Sequence, residues 1–374
     1  MTSWRQLQAA TREGSLAAQR ARRRLGLSLE RRVDVFSVIE AEGIWLMFQP
    51  LRSLFGFYRR LSGVAGIVIN ANHPASLQRY TAAHEYGHHV LGHGFSLDEV
   101  RHIDGARGVD EAREFEEALA VRSPAEGGDP RHEAAAQAFA GTFLMPIQVV
   151  NRVLLARGFD RDRPQLGPVD VYELSLEFGT SYQATVTQLA VLEKITWAET
   201  RTLRFLPIGI KTTLAAGRRP QDARADVWLV RDTDTERDLP VRVNDEIVLR
   251  LPEIPSSGYV WTLRHIQFAS LEMVDEVTEA VNDEGDRHGD SAIRRVHLRA
   301  ISPGVDDIAV VLRRPWEDEP VRRVVVHVHV AREPTGDAAS GLIWSQQVQR
   351  TLGGNVTEGG PWPAVRRRPV PSRR

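Results

Sequence analysis

Residues His84-Glu85-Tyr86-Gly87-His88 place two histidines four apart with a glutamate directly after the first. On a helix, positions four apart lie one above the other, so both imidazoles can reach one metal ion while Glu85 stands beside the water that the metal holds. This His-Glu-x-x-His word carries the chemistry of a zinc peptidase helix: two ligands and a general base. In that chemistry the metal lowers the pKa of the attacking water from about 15.7 toward about 7 and polarises the peptide carbonyl. Glu85 takes the proton and later returns it to the leaving amine.

A catalytic zinc needs a third protein ligand and one open position. His93 follows His84 by nine residues, about 900° of rotation at 100° per residue, which puts it on the far side of the helix for as long as the helix continues. It is a poor ligand on that geometry. The longer metalloprotease pattern with glycine three residues after the second histidine fails too, because that position is Leu91. The third ligand is therefore expected downstream, in the segment from Arg131 to Pro146. Tyr86, His89, His93 and His132 are all polar groups near the motifs that could stabilise an oxyanion, and sequence does not choose among them.

The elements that must hold these residues can be read on either side of them. Gly66-Ile67-Val68-Ile69-Asn70 is an apolar, β-branched run ending in turn formers, hence a buried strand. Tyr80-Thr81-Ala82-Ala83 leads into the histidine helix, and Gly92 and Gly94 stop it within two turns of His88. Residues 131–145 form a second strong helix pattern that ends before Pro146. Further on, the runs 171–178 and 182–192 form a helix pair that turns at Gly179, with Ser181 as N-cap of the second. The pair resembles a helix-turn-helix, and its second helix offers Tyr182, Gln183, Thr185 and Gln188 but no arginine. It serves equally well as packing for the preceding helices.

Residues 15–195 resemble the ImmA/IrrE family of metallopeptidases. The likeness rests on the His84 to His88 word followed by Glu133-Ala134-Ala135-Ala136-Gln137-Ala138-Phe139-Ala140 and Phe143-Leu144-Met145-Pro146. It extends to the Gly66 to Asn70 strand and to Val33-Asp34-Val35, which matches the opening of a strand in the family. The resemblance implies a zincin-like helical domain with a small sheet and Glu133 as the third zinc ligand. It also implies a protein substrate, a helix-turn-helix repressor. Tyr80, Tyr86 and Gln137 depart from the usual residues. Glu133 follows His88 by 45 positions, a long spacer, and its acidic stretches, residues 110–117 and 125–130, read as an insertion forming a surface loop or lid.

From about residue 224 the periodicity changes to short strands with turns between them: 226–230, 247–251, 293–300, 308–312 and 324–330. This is the pattern of an all-β sandwich. Ile247, Leu249 and Leu251, and likewise Val326, Val328 and Val330, face a core by alternation, while Arg250, His327 and His329 face water. No acidic neighbour in sequence joins the last two in a metal site. The loops Pro255-Ser256-Ser257-Gly258-Tyr259-Val260-Trp261 and Arg314-Pro315-Trp316 resemble those of chagasin-type inhibitors. That resemblance covers residues 224–332 and implies an immunoglobulin-like sandwich whose partner is a papain-like cysteine peptidase. Pro255, Ser256, Ser257, Gly258, Tyr259, Trp261, Arg314, Pro315 and Trp316 would then meet the partner. Serines at 256 and 257 replace the family's threonines.

The expected architecture is α+β: residues 1–200 as the peptidase-like domain, 201–223 as linker, 224–332 as sandwich and 333–374 as a basic tail. The 374 residues carry a net charge of −1 and no cysteine, which excludes disulfides and thiol catalysis and argues against a nucleic-acid clamp. Without an apolar signal core at the start, or a run of about 18 apolar residues, a cytoplasmic location away from membranes is expected. Two functions follow: a zinc endopeptidase with a regulatory role, in which the sandwich recognises a partner or gates the site, and a binding protein that blocks papain-like enzymes.

Overall fold

The computed structural model describes residues 3–331 apart from 31, 52–53, 62, 95, 100–128, 204–206, 223, 265–266 and 281–290. Most of the expected insertion and the whole basic tail lie outside these residues. Helix α1 (Trp4–Arg24) opens with a capping box in which the Ser3 and Gln6 side chains each bond the other's backbone N–H. Helix α2 (Val35–Ala41) starts where the Asp34 carboxylate accepts the N–H groups of Phe36 and Ser37 at 3.2 and 3.3 Å. Val33-Asp34-Val35 therefore begins a helix and not a strand: the side-chain cap outweighs the β preference of the valines.

A four-stranded sheet follows, of β1 (Trp45–Gln49), β2 (Leu54–Leu61), β3 (Val64–Asn70) and β4 (Ser96–Glu99) in the order β1-β3-β2-β4. Strand β3 is central, parallel to β1 and antiparallel to β2, and its Ile67, Val68 and Ile69 are buried. It feeds helix α3 (Ala75–Val90), which starts five residues before the expected Tyr80. Helix α4 (Pro130–Leu144) packs between α1 and α3. Its contact with α1 runs along Ala10, Gly14, Ala18 and Ala21, where a Cβ at Gly14 would stand 1.9 Å from the Ala135 carbonyl oxygen.

Helix α5 (Ile147–Ala156) follows after a break at Met145-Pro146. Residues 130–156 taken together are long and apolar enough to cross a membrane by length and composition. Here the stretch is two helices and 61% of its most apolar window is buried inside the protein, as in a core helix. Helices α6 (Pro168–Phe178) and α7 (Tyr182–Val191) meet at Gly179, whose φ of 63° closes α6, and Ser181 caps α7 as expected.

Helices α8 (Glu199–Thr202) and α9 (Pro207–Leu214) lie in part of the segment expected to be a linker, and Ile210 and Leu214 of α9 are buried. The strands are β5 (Val227–Arg231), β6 (Arg237–Arg242), β7 (Glu246–Glu253), β8 (Val260–Leu263), β9 (Leu271–Ala280), β10 (Ala292–Ala300), β11 (Gly304–Arg313) and β12 (Arg322–Ala331). They build two sheets, β5-β7-β10-β9 and β6-β12-β11-β8. The chain is thus α+β, with its extended sheets in the C-terminal part.

Ile247, Leu249 and Leu251 of one sheet and Val326, Val328 and Val330 of the other are buried in a common core, as their alternation predicts. His327 is solvent-facing but not isolated from acids: Asp307 on β11 and Glu236 beside β6 hold its two ring nitrogens at 2.7 and 3.1 Å. Those neighbours come from strand register, which sequence adjacency does not show.

The helical part is bolted to the sheets. Glu173 of α6 is buried and accepts both terminal nitrogens of Arg231 at 2.8 and 2.7 Å. Glu177 joins Arg157 and Arg237 at 2.9 and 2.7 Å, and the Tyr172 hydroxyl accepts the Val227 N–H at 2.9 Å. Lys211 of α9 pairs with Asp226 at 3.2 Å.

Candidate functional site

His84 and His88 project from one face of α3, buried, with their Nε2 atoms 3.1 Å apart. Glu133 comes to them from the first turn of α4, a turn that Asp129 caps and Pro130 starts. Its two carboxylate oxygens lie 3.2 Å from His84 Nε2 and 3.5 Å from His88 Nε2. The helices approach closely because position 87 is glycine: a Cβ there would stand 3.1 Å from the Phe139 ring. Glu85, on the same helix, is fully buried.

The three side chains each aim one donor atom at a common point, all within 4.8 Å of one another. A tetrahedral ion bound at about 2.1 Å needs its ligand atoms about 3.4 Å apart, so the observed spacings fit zinc. Burial alone would raise the Glu133 carboxyl, but the bonds from His84 and His88 outweigh it and hold the group below the usual carboxylate range, as an anion ready to bind a cation.

Helix α3 does not continue to His93. Gly92, at a φ of 68°, turns the chain back, and the His93 N–H bonds the His88 carbonyl at 3.0 Å. The His93 ring thereby reaches His88, Nδ1 to Nδ1 at 3.0 Å, and stacks on His132 with centroids 3.9 Å apart. Burial first, then the neighbouring histidines, push His93 down to about 4. The helix ends before Gly92, so the spacing of about 100° per residue no longer applies to His93, and the left-handed turn at that glycine brings its ring to the Nδ1 side of His88.

Two other polar candidates point elsewhere. The Tyr86 hydroxyl lies 3.3 Å from Glu42 and 3.4 Å from Arg24, and His89 Nδ1 meets the Tyr58 hydroxyl at 3.2 Å. The second helix of the turn motif is equally committed to packing. Tyr182, Thr185 and Gln188 are buried, with the Tyr182 hydroxyl donating to the Leu203 carbonyl at 2.8 Å and the Gln188 amide to that of Met145 at 3.3 Å.

In the sheets, Trp261 opposite Leu312 and Val260 opposite Arg313 bring the two singled-out loops side by side. Pro255–Ser257 form a single 3-10 turn ended by Gly258 at a φ of 75°. The Ser257 hydroxyl donates to the Ile254 carbonyl at 2.6 Å and accepts the Tyr259 N–H at 3.2 Å. Arg314 crosses from the other loop, donating to the Ser257 carbonyl at 3.1 Å with its guanidinium 4.4 Å from the centre of the Tyr259 ring. Trp316 lies over Gly258 and is 73% exposed. Trp261 does not join this surface: it is 1% exposed, its indole N–H donates to the Pro252 carbonyl at 2.9 Å and its backbone N–H to Glu253 at 2.6 Å. As an expected partner contact it is corrected to a core anchor.

Residues 39–189 match the family model of the IrrE N-terminal-like domain, and residues 240–330 match that of the Chagasin family peptidase inhibitor I42. The chain joins an IrrE N-terminal-like domain to a chagasin-family domain. The first match has a metallopeptidase-type fold and spans α3 and α4 with all four residues of the centre. Its bounds leave out α1, although α1 packs along α4. The chagasin-family match likewise leaves out β5, although that strand pairs with β7.

Some solved structures resemble a part of the chain. The cysteine protease inhibitor EhICP2 from Entamoeba histolytica is 23% identical, covering 29% of this chain and 97% of its own, with a TM-score of 0.27. Amebosin is 19% identical over 28% of this chain and 98% of its own, at a TM-score of 0.22. PbICP-C, solved in complex with falcipain-2, is 13% identical over 29% and 90%, at 0.19. No curated protein matches the chain.

Proposed function

We propose that the protein is a zinc-dependent endopeptidase with a regulatory role, acting in the cytoplasm on a helix-turn-helix repressor. The observation that carries this reading is the convergence of His84, His88 and Glu133 beside the buried Glu85. His84, His88 and Glu133 would hold the zinc, which when bound supplies a Lewis acid that activates water and polarises the scissile carbonyl. Glu85 accepts the proton of the attacking water and passes it to the leaving amine, and its burial keeps bulk water from competing for that proton. The fold supports a zincin-like arrangement, a sheet laid against the motif helix, and the C-terminal sheets support an immunoglobulin-like sandwich that recognises a partner or gates the site. The repressor substrate follows from the ImmA/IrrE resemblance.

Full-length protein carrying Glu85→Gln is expected to retain stoichiometric zinc and lose cleavage by a factor of about 10² or more, whereas Glu133→Ala loses the metal. Used as bait in a lysate, the Glu85→Gln protein should retain a repressor that the wild type cuts. Undiminished cleavage by Glu85→Gln would overturn the reading.

A second reading has its own observation. Trp316 stands exposed on a loop fixed by Arg314 and Gly258, a rigid aromatic surface suited to a protease cleft. Under it the chain binds and blocks a papain-like cysteine peptidase, and the helical domain is a non-catalytic support. Titrating such an enzyme with the full chain tests this: full activity at saturation removes it.

A further inference from the structure

A metal-bound imidazole is held in place by what its other nitrogen bonds, and loss of that partner typically weakens metal binding by about 10–100-fold. His88 turns Nε2 toward His84 and Glu133, while its Nδ1 lies 3.0 Å from Nδ1 of His93. With Nε2 given to a metal, the His88 ring carries its hydrogen on Nδ1, and His93 Nδ1 is the acceptor at hydrogen-bond distance. His93 sits on the side of His88 away from the convergent atoms, so it supports a ligand without being one.

Three features fix His93. Gly92 is left-handed, with a φ of 68°; the His93 N–H bonds the His88 carbonyl at 3.0 Å; and the ring stacks on His132 at 3.9 Å with 16° between planes. His132 directly precedes Glu133 on α4. The ring stack therefore ties the end of α3, which carries two of the convergent residues, to the first turn of α4, which carries the third.

We infer that His93 is a positioning residue for a divalent cation at His84, His88 and Glu133, accepting the His88 Nδ1–H while its stack on His132 holds α3 and α4 in register. The inference rests on the zinc reading above and adds to it a role for two histidines that the ligand set does not use.

Full-length wild type, His93→Leu, His93→Asn, His132→Phe and Glu133→Ala would be compared by chelator competition for zinc and by the visible spectrum of the cobalt(II)-loaded proteins, with circular dichroism to verify folding. His93→Leu should raise the apparent zinc Kd about 10–100-fold and shift the cobalt bands. His93→Asn, whose amide oxygen can accept near the place of Nδ1, should recover most of both, and His132→Phe, which keeps a stacking ring, should stay close to wild type. If His93→Leu binds zinc like the wild type while Glu133→Ala loses it, the centre stands and the role of His93 falls. If Leu and Asn are equally weak, His93 only packs, and the inference falls again. A wild type that binds no zinc overturns both this inference and the reading beneath it.

Discussion

Trp261 and Trp316 show how little a residue's type says about its job. Both belong to the two segments singled out by sequence, yet one is 1% and the other 73% exposed. Alternation places Trp261 inside: it follows Val260 on β8 and pairs opposite Leu312, whereas Trp316 lies beyond the end of β11. Trp261→Ala is therefore expected to cost about 3–5 kcal/mol in urea unfolding, and Trp316→Ala less than about 0.5 while abolishing any inhibition of a papain-like enzyme. At the candidate metal site the residue scale is the most legible: a four-residue spacing on a helix is local, and His84, His88 and Glu85 need no tertiary information to be found. Glu133 was reachable only through the family resemblance, because no local rule links residues 45 apart.

At the scale of elements, the centre exists because two helices come close. Gly14 lets α1 settle on α4, and Gly87 lets α3 settle on Phe139 of the same helix. A methyl group at position 14 would collide with the Ala135 carbonyl, a backbone atom that cannot rotate away. Gly14→Ala should lower stability by about 1–3 kcal/mol and weaken zinc binding without touching a ligand; equal denaturation midpoints for the variant and wild type would refute this. The histidine helix, the 131–145 helix, the helix pair and strands β3, β5, β7, β10, β11 and β12 were legible from periodicity and caps. Strands β1, β2 and β4 of the small sheet and β6, β8 and β9 were not. Strand β6 contains Pro240, β8 has four residues, and β9 carries Glu272, Asp275, Glu276 and Glu279 at a sheet edge, where Glu272, Glu276 and Glu279 accept from Arg299, Arg294 and Arg295 of β10 and Asp275 pairs with Arg218.

The whole molecule is more continuous than a two-domain sequence suggests. Helix α9 lies within the expected linker, and Glu173 and Glu177 are clasped by Arg231 and Arg237 from the sheets. Buried or half-buried carboxylates with partners on the other part couple the two in unfolding. The full chain should give one calorimetric transition, and Arg231→Ala with Arg237→Ala should resolve it into two; two transitions already in the wild type would show the parts to be independent. What the sequence determined by itself was the placing of His84, Glu85 and His88 on one helix and the elements with a clear period, since spacing on a helix, alternation on a strand, and caps are set within a few residues. Only the tertiary structure decided that Glu133 meets the histidines, that His93 turns back to His88, that the α7 face is spent on packing and that acids flank His327. Each of these depends on a left-handed turn, a helix approach or a strand register that brings together groups far apart in the chain.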